Sequence, residues 1–193
     1  MLQIILILTL AYLLGSIPFS LIIARLFKGI DIRNHGSGNI GATNVLRTVG
    51  KKEAALALIA DVLKGVLPVL FTVFVLEEVW IAATAVFVVL GHVFPIFAGL
   101  KGGKGVATSL GALIVIIPAG VIVSLIVWFL VLIVFRYASL ASISAAIALP
   151  AICWGLTTPL AFTAAASINA VIIILKHTGN IKRLITGTEN KVF

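Results

Sequence analysis

Charge is scarce in this sequence. Only 10% of the residues are Asp, Glu, Lys or Arg, against about 25% in a soluble globular domain. Hydrophobic residues make up 62%, and the mean hydropathy is +1.28. This excludes a soluble domain and leaves a membrane protein. Acids are scarcer than bases, 6 against 14, so the net charge is +8. The one cysteine, Cys153, lies in an apolar run, which excludes an internal disulfide and a Cys-based metal site. The N-terminus has no basic n-region and no small-residue cleavage site. It reads as a first span, not as a removable signal peptide.

What is present is a series of apolar runs. A span needs roughly 20 apolar residues. Such runs occupy Leu2 to Ala24 (interrupted by Gly15 and Pro18), Ala54 to Leu76, Val79 to Phe97, Tyr137 to Trp154 and Pro159 to Leu175. Polar, basic segments lie at about 25–52, 98–105 and 176–193. The stretch 106–135 carries no charge and would be about 45 Å long as one helix. Pro118, Ala119 and Gly120 offer a turn near its middle. If it crosses twice, every basic residue except Lys64 falls on one side. The positive-inside rule then predicts an all-α, polytopic, seven-transmembrane-helix bundle. Its N-terminus is outside and its C-terminus cytosolic. Residues 1–193 form one domain, with no soluble part.

The segment "HGSGNIGATNVLR" contains G-x-G-x-x-G at Gly36, Gly38 and Gly41, and Asp61 follows. That is the spacing of a dinucleotide-binding turn, which requires a buried strand before it and a helix after it. Here it lies between two membrane spans, so that reading fails. "GLKGGKGVATS" evokes a Walker A loop, but Lys104 is followed by Gly105 instead of Ser or Thr. That reading fails as well. The shared physics remains: glycines let a backbone approach a phosphate, and helix N-termini favour anions. Arg47 and Lys104 supply a cation to each loop, and the tail segment "KHTGNIKR" adds His177, Asn180 and Arg183. These three segments read as one cytosolic site for phosphate groups. Lys28, Lys51, Lys52, Lys101 and Lys191 are explained by orientation alone. The cluster of Ser37, Asn39, Thr43, Asn44 and Arg47 is not, because orientation needs only charge.

The three segments together resemble the bacterial acyl-phosphate:glycerol-3-phosphate acyltransferase family of integral-membrane enzymes. "GSGNIGATNVLR" is similar to that family's first motif and "KGGKGVAT" to its glycerol-phosphate-binding loop. "HTGNIKRLITGTEN" carries its His, Asn and Glu at His177, Asn180 and Glu189. The resemblance extends over the whole chain. It implies transfer of an acyl group from acyl phosphate to the 1-hydroxyl of sn-glycerol 3-phosphate, giving lysophosphatidic acid and phosphate. It implies no cofactor, metal, nucleotide or nucleic acid. The expected location is the bacterial inner membrane, and the expected state a monomer.

Two phosphates must then meet in one site. Arg47 can grip one bidentately and Lys104 can hold the other as a point charge. The resemblance places glycerol 3-phosphate nearer Lys104. Gly36, Gly38, Gly41, Gly102, Gly103, Gly105, Ser142 and Arg183 are expected to touch substrate. Ser37, Asn39, Thr43, Asn44, Arg47, His177 and Asn180 are expected to serve the chemistry, with Thr43, Asn44 and Asn180 as oxyanion donors. The proton acceptor is either His177 or the donor's own phosphate; the phosphate is favoured, with His177 as a hydrogen-bond donor. A covalent route through Ser37 lacks a carboxylate–His pair, and no H-x-x-x-x-D occurs. Asp61 and Lys64 share a helix face and, with Glu189, are expected to be structural, as is His92. The rivals are a transporter of a phosphorylated solute and a non-catalytic adaptor. A transporter predicts broken helices at mid-membrane, whereas these motifs lie at one face.

Overall fold

The computed structural model describes residues 1–192, all helix, turn or loop. α1 (Leu2–Gly15) and α2 (Phe19–Lys28) divide one apolar stretch at Ser16–Pro18, because Pro18 has no N–H to continue the ladder. Gly29, at φ 65°, ends α2 in the left-handed conformation. A 3-10 turn at Ile32–Asn34 is capped by Asp31, whose Oδ1 accepts from Arg33 N. The short α3 (Ala42–Thr48) and the long α4 (Lys51–Val73) follow, then α5 (Glu78–Val93), α6 (Val106–Ile116), α7 (Pro118–Phe135), α8 (Ala138–Gly155), α9 (Leu160–Lys176) and α10 (Thr178–Ile185).

Five stretches are long and apolar enough to cross a bilayer: Leu2–Lys28, Lys51–Val73, Glu78–Ala98, Pro118–Phe135 and Ala138–Gly155. Taken together as one bent span, α9 and α10, which meet at 58°, give a sixth. The chain is a multi-pass helical membrane protein. The uncharged stretch 106–135 is indeed two helices, broken at Ile117, and Pro118 opens α7. α6 is 11 residues long, about 16 Å, so alone it is about half the thickness of a hydrocarbon core. The first polar loop is also more structured than its composition suggests. It does not run directly into a span but forms the seven-residue α3, and α4 starts only at Lys51.

Small residues set the helix crossings. A Cβ on Gly15 would strike Val88 O, and one on Gly91 would strike Tyr12 O, so α1 and α5 touch backbone to backbone. Gly65 against Thr108 O and Gly111 against Val62 O join α4 to α6 in the same way. Lipid gives apolar side chains little reason to prefer one another, so this close approach is a main source of helix association. One apolar cluster fills the body between α5, α6, α7, α8 and α9, including Val88, Val89, Leu113, Val121 and Cys153. A second joins Ile23, Ile32, Ile40, Val45, Ala57 and Ala98. It anchors the first Gly-rich loop to α2, α3 and α4.

Candidate active site

The first loop is built around one buried amide. Asn44 is 2% exposed. Its Nδ2 lies within hydrogen-bond distance of Ile32 O (3.1 Å), His35 O (3.0 Å) and Asn39 O (3.1 Å). Its Oδ1 accepts from Ser37 N at 3.0 Å. A side chain so engaged shapes the loop and has no donor left for an oxyanion. Gly36 (φ 61°) and Gly38 (φ 69°) occupy the left-handed region, and a Cβ on Gly36 would collide with Asn44 Oδ1. Gly41 differs: its φ of −157° is ordinary extended backbone. The loop holds Ser37, Thr43 and Arg47 exposed and Asn39 half-buried. Among the described residues, Arg47 makes no ion pair or side-chain hydrogen bond.

The second loop packs against α5. Gly103 N donates to His92 O at 3.2 Å. A Cβ on Gly102 would collide with His92 O, and one on Gly103 with His92 Nε2 and Ile40 O. Gly105 (φ 86°) faces Val89 and Val93. These glycines therefore allow close packing, and Gly103 gives its N–H to the protein, not to a substrate. Gly103 also brings the second loop onto the first, at Ile40. A hollow between the two loops is lined by Arg33, Asn34, Gly38, Lys101 and Gly102.

The third segment closes over Lys104. Lys104 Nζ donates to Asn180 Oδ1 at 2.5 Å, and Asn180 Nδ2 donates to Glu189 Oε1 at 2.6 Å. Glu189 also accepts from Ser139 Oγ (2.7 Å) and from Arg183 Nε (2.6 Å). Its carboxylate thus ties α10 and the tail to α8. Burial would raise the Glu189 pKa, but its bonds to Ser139, Asn180 and Arg183 outweigh burial and hold it below the usual carboxylate range. His177, 3% exposed, sits at the junction of α9 and α10 with Nδ1 2.8 Å from Ile173 O. A carbonyl can only accept, so the proton is on Nδ1 and the neutral ring offers Nε2 as an acceptor. This corrects the expectation of His177 as a donor to substrate.

Lys104 is the electrostatic centre of the arrangement. Burial pushes it down to about 8, aided by the charges of Arg183 and Arg47 and opposed by Glu189. The close approach of Gly103 to Ile40 O places the first loop beside the second. Free-enzyme pKa values govern kcat/KM. A Lys near 8 is charged below that pH and neutral above it, so kcat/KM for a phosphate substrate should bend downward above about pH 8. The expected fall is about tenfold per unit. Initial rates between pH 6 and 10 check this, and Lys104→Arg should move the bend beyond the range.

Not every expected residue joins this centre. Ser142 Oγ donates to Ala138 O and accepts from Trp128 Nε1, which places it in the α7–α8 contact. Asp61 and Lys64 pair with each other at 2.9 Å inside the helical body. Arg183 has one N–H committed to Glu189. Ser139, one turn before Ser142, is the α8 residue that joins the network. Its spacing from Ser142 on one helix face was the available signal.

The family described as glycerol-3-phosphate acyltransferase matches residues 5–187. The chain belongs to it. A glycerol-3-phosphate acyltransferase from Geotalea daltonii is 48% identical over 181 residues, 93% of each chain. One from Aquifex aeolicus is 44% identical over 183 residues, covering 94% of this chain and 95% of its own. Two crystal structures of PlsY (YgiH), described as an integral membrane glycerol 3-phosphate acyltransferase, share the fold. The glycerol 3-phosphate form has a TM-score of 0.95 at 41% identity, over 99% of this chain and 96% of its own. The lysophosphatidic acid form has a TM-score of 0.92 at 41% identity, over 98% and 95%.

Proposed function

We propose that this chain moves an acyl group from an acyl phosphate to the 1-hydroxyl of sn-glycerol 3-phosphate, giving lysophosphatidic acid and inorganic phosphate. Acyl transfer to glycerol 3-phosphate follows from the family; the donor and the residue roles are our reading. It rests above all on Lys104, a half-buried cation at the point where all three basic segments meet. Lys104 binds the phosphate of glycerol 3-phosphate. Arg47, without a partner among the described residues, binds that of the donor. Ser37, Asn39 and Thr43 line the first loop beside it. Asn44, Asn180 and Glu189 hold the loops and the tail.

The reaction forms a bond between the 1-oxygen and the acyl carbon and breaks the bond from that carbon to the phosphate oxygen. The hydroxyl proton leaves with the phosphate, whose basic oxygen titrates at about pH 6. An acyl phosphate is already an activated anhydride, so no dedicated protein base is required. His177 Nε2 accepts a hydrogen bond from the 2-hydroxyl of glycerol 3-phosphate and orients the molecule, which leaves the 1-hydroxyl proton free to go to the donor phosphate. His177→Ala is therefore expected to lose less than about a thousandfold in kcat; a larger loss would make His177 the base.

The topology we favour has seven crossings, with α6 and α9 added to the five long stretches. The N-terminus is outside, and the loops and C-terminus face the cytosol of a bacterial inner membrane. The charge pattern supports this, as it places the three basic segments on one face. One domain, acting as a monomer, completes the reading. The test is acyl transfer by purified protein in a lipidic phase, given synthetic acyl phosphate, glycerol 3-phosphate and a chelator. Phosphate and lysophosphatidic acid should appear together, and only with both substrates. Flux of glycerol 3-phosphate into liposomes without any transfer would establish a transporter instead.

A further inference from the structure

A second polar cluster lies inside the helical body. Asp61 and Lys64 on α4 are 2% exposed and His92 on α5 is 7% exposed. Lys64 Nζ is 2.9 Å and His92 Nδ1 3.6 Å from the same oxygen, Asp61 Oδ1. Lys64 Nζ also donates to Ile17 O at 2.8 Å, a carbonyl at the break between α1 and α2. Ser20 Oγ on α2 reaches Asp61 Oδ2 at 3.4 Å. Charges at such depth are costly and rare. A buried pair is often no more stabilising than well-packed apolar residues. Their presence calls for a reason beyond stability.

Their surroundings supply one. The hollow beside the cluster is lined by Asp61, Lys64, His92, Ile40, Gly102 and Gly103. His92 touches the second loop twice. Its carbonyl accepts from Gly103 N, and its ring fills the space that a Cβ of Gly103 would need. Lys104 is the next residue, so any rotation of the His92 ring reaches it through one peptide unit. On the other side of Gly103 lies Ile40 O, in the first loop.

We propose that Asp61, Lys64 and His92 form a positioning node: the ion pair fixes the His92 ring, the ring and its carbonyl fix Gly102–Gly103, and Lys104 is thereby held in register for the phosphate of glycerol 3-phosphate. This rests on the reading of Lys104 given above. The node joins the α1–α2 break, α4, α5 and both Gly-rich loops. It makes no contact with substrate itself, so its effect appears as binding of one substrate and not as chemistry.

The test compares purified His92→Ala, His92→Asn and Lys104→Ala with the parent enzyme, varying each substrate in turn. His92→Ala should raise KM for glycerol 3-phosphate about tenfold or more, with kcat and the KM for acyl phosphate within about threefold. His92→Asn keeps a nitrogen near the position of Nδ1 but lacks the ring edge that fills the space beside Gly103, so it should leave that KM raised about tenfold as well. If His92→Ala does not fold, His92→Leu, which fills the ring's volume without the Nδ1 contact, carries the same expectation. A lower Tm with both KM values unchanged would overturn the node and leave a structural cluster, as would an equal rise in both. Lys104→Ala separates the two levels. A raised KM there beside a normal one in His92→Ala overturns the node alone. A normal KM in Lys104→Ala overturns the reading of Lys104 and the node's purpose with it.

Discussion

Lys104→Ala is expected to lower kcat/KM for glycerol 3-phosphate by about a thousandfold. Two phosphates carrying negative charge must approach each other, and each needs a cation nearby. A hydrogen bond to a charged group contributes about 1.5–3 kcal/mol, and its loss in a partly desolvated site adds to the repulsion left behind. About 4 kcal/mol in total corresponds to about three powers of ten. Most of the loss should appear in KM, because the interaction exists before the acyl group moves. Lys104→Arg should recover only part of it. The ammonium rests 2.5 Å from Asn180 Oδ1, and a planar guanidinium cannot take that position without displacing Asn180 or Glu189. Steady-state rates for both variants, with each substrate varied, decide the matter. An unchanged KM for glycerol 3-phosphate would remove Lys104 from the site.

The sequence disclosed the broad plan for clear physical reasons. Hydrophobic runs determine membrane crossings, and Pro118 marks the break in the uncharged stretch. The three polar segments stood out because orienting an apolar chain in a membrane needs only charge, not Ser, Asn, Thr and Gly clustered beside the cations. What stayed hidden was which polar groups are already engaged. Asn44 and Asn180 have the same chemistry as any oxyanion donor, yet their amides serve backbone carbonyls and Glu189. No sequence period reports this, since the partners lie 5 to 12 residues away and meet the amides only once the irregular loops and tail have folded back. α10 was hidden in the tail for a related reason. An eight-residue helix is marginal alone, and this one is held by the bonds that Glu189 makes to Asn180 and Arg183. The seven-residue α3 lay inside a Gly-rich loop, where composition argues against a helix. Asp61 and Lys64 were legible as a pair three apart on one helix, but His92 came to them only through the packing of α5 on α4.

Asn44→Ala is expected to cost at least as much as loss of Lys104, although on this reading its side chain touches no substrate. It would remove the partner of three carbonyls and one N–H at once. Each hydrogen bond contributes about 1 kcal/mol, and each buried group left unpaired costs about 1–3 kcal/mol. Gly36 and Gly38 would lose the amide that holds their turn, and Arg47, one turn along α3, would lose its placement. The expected result is a fall in kcat/KM of more than about a thousandfold, with faster hydrogen exchange at the amides of 35–44. Asn44→Asp distinguishes the possible roles. The carboxylate keeps an acceptor for Ser37 N but sets a negative oxygen against the carbonyls of Ile32, His35 and Asn39. It should therefore be no better than Ala, despite its nearly identical shape. An oxyanion donor would behave differently: kcat would fall while both KM values and the exchange rates stayed at those of the parent. That outcome would return Asn44 to the chemical step and require the loop to open when substrate binds, since the closed loop leaves the amide no free donor.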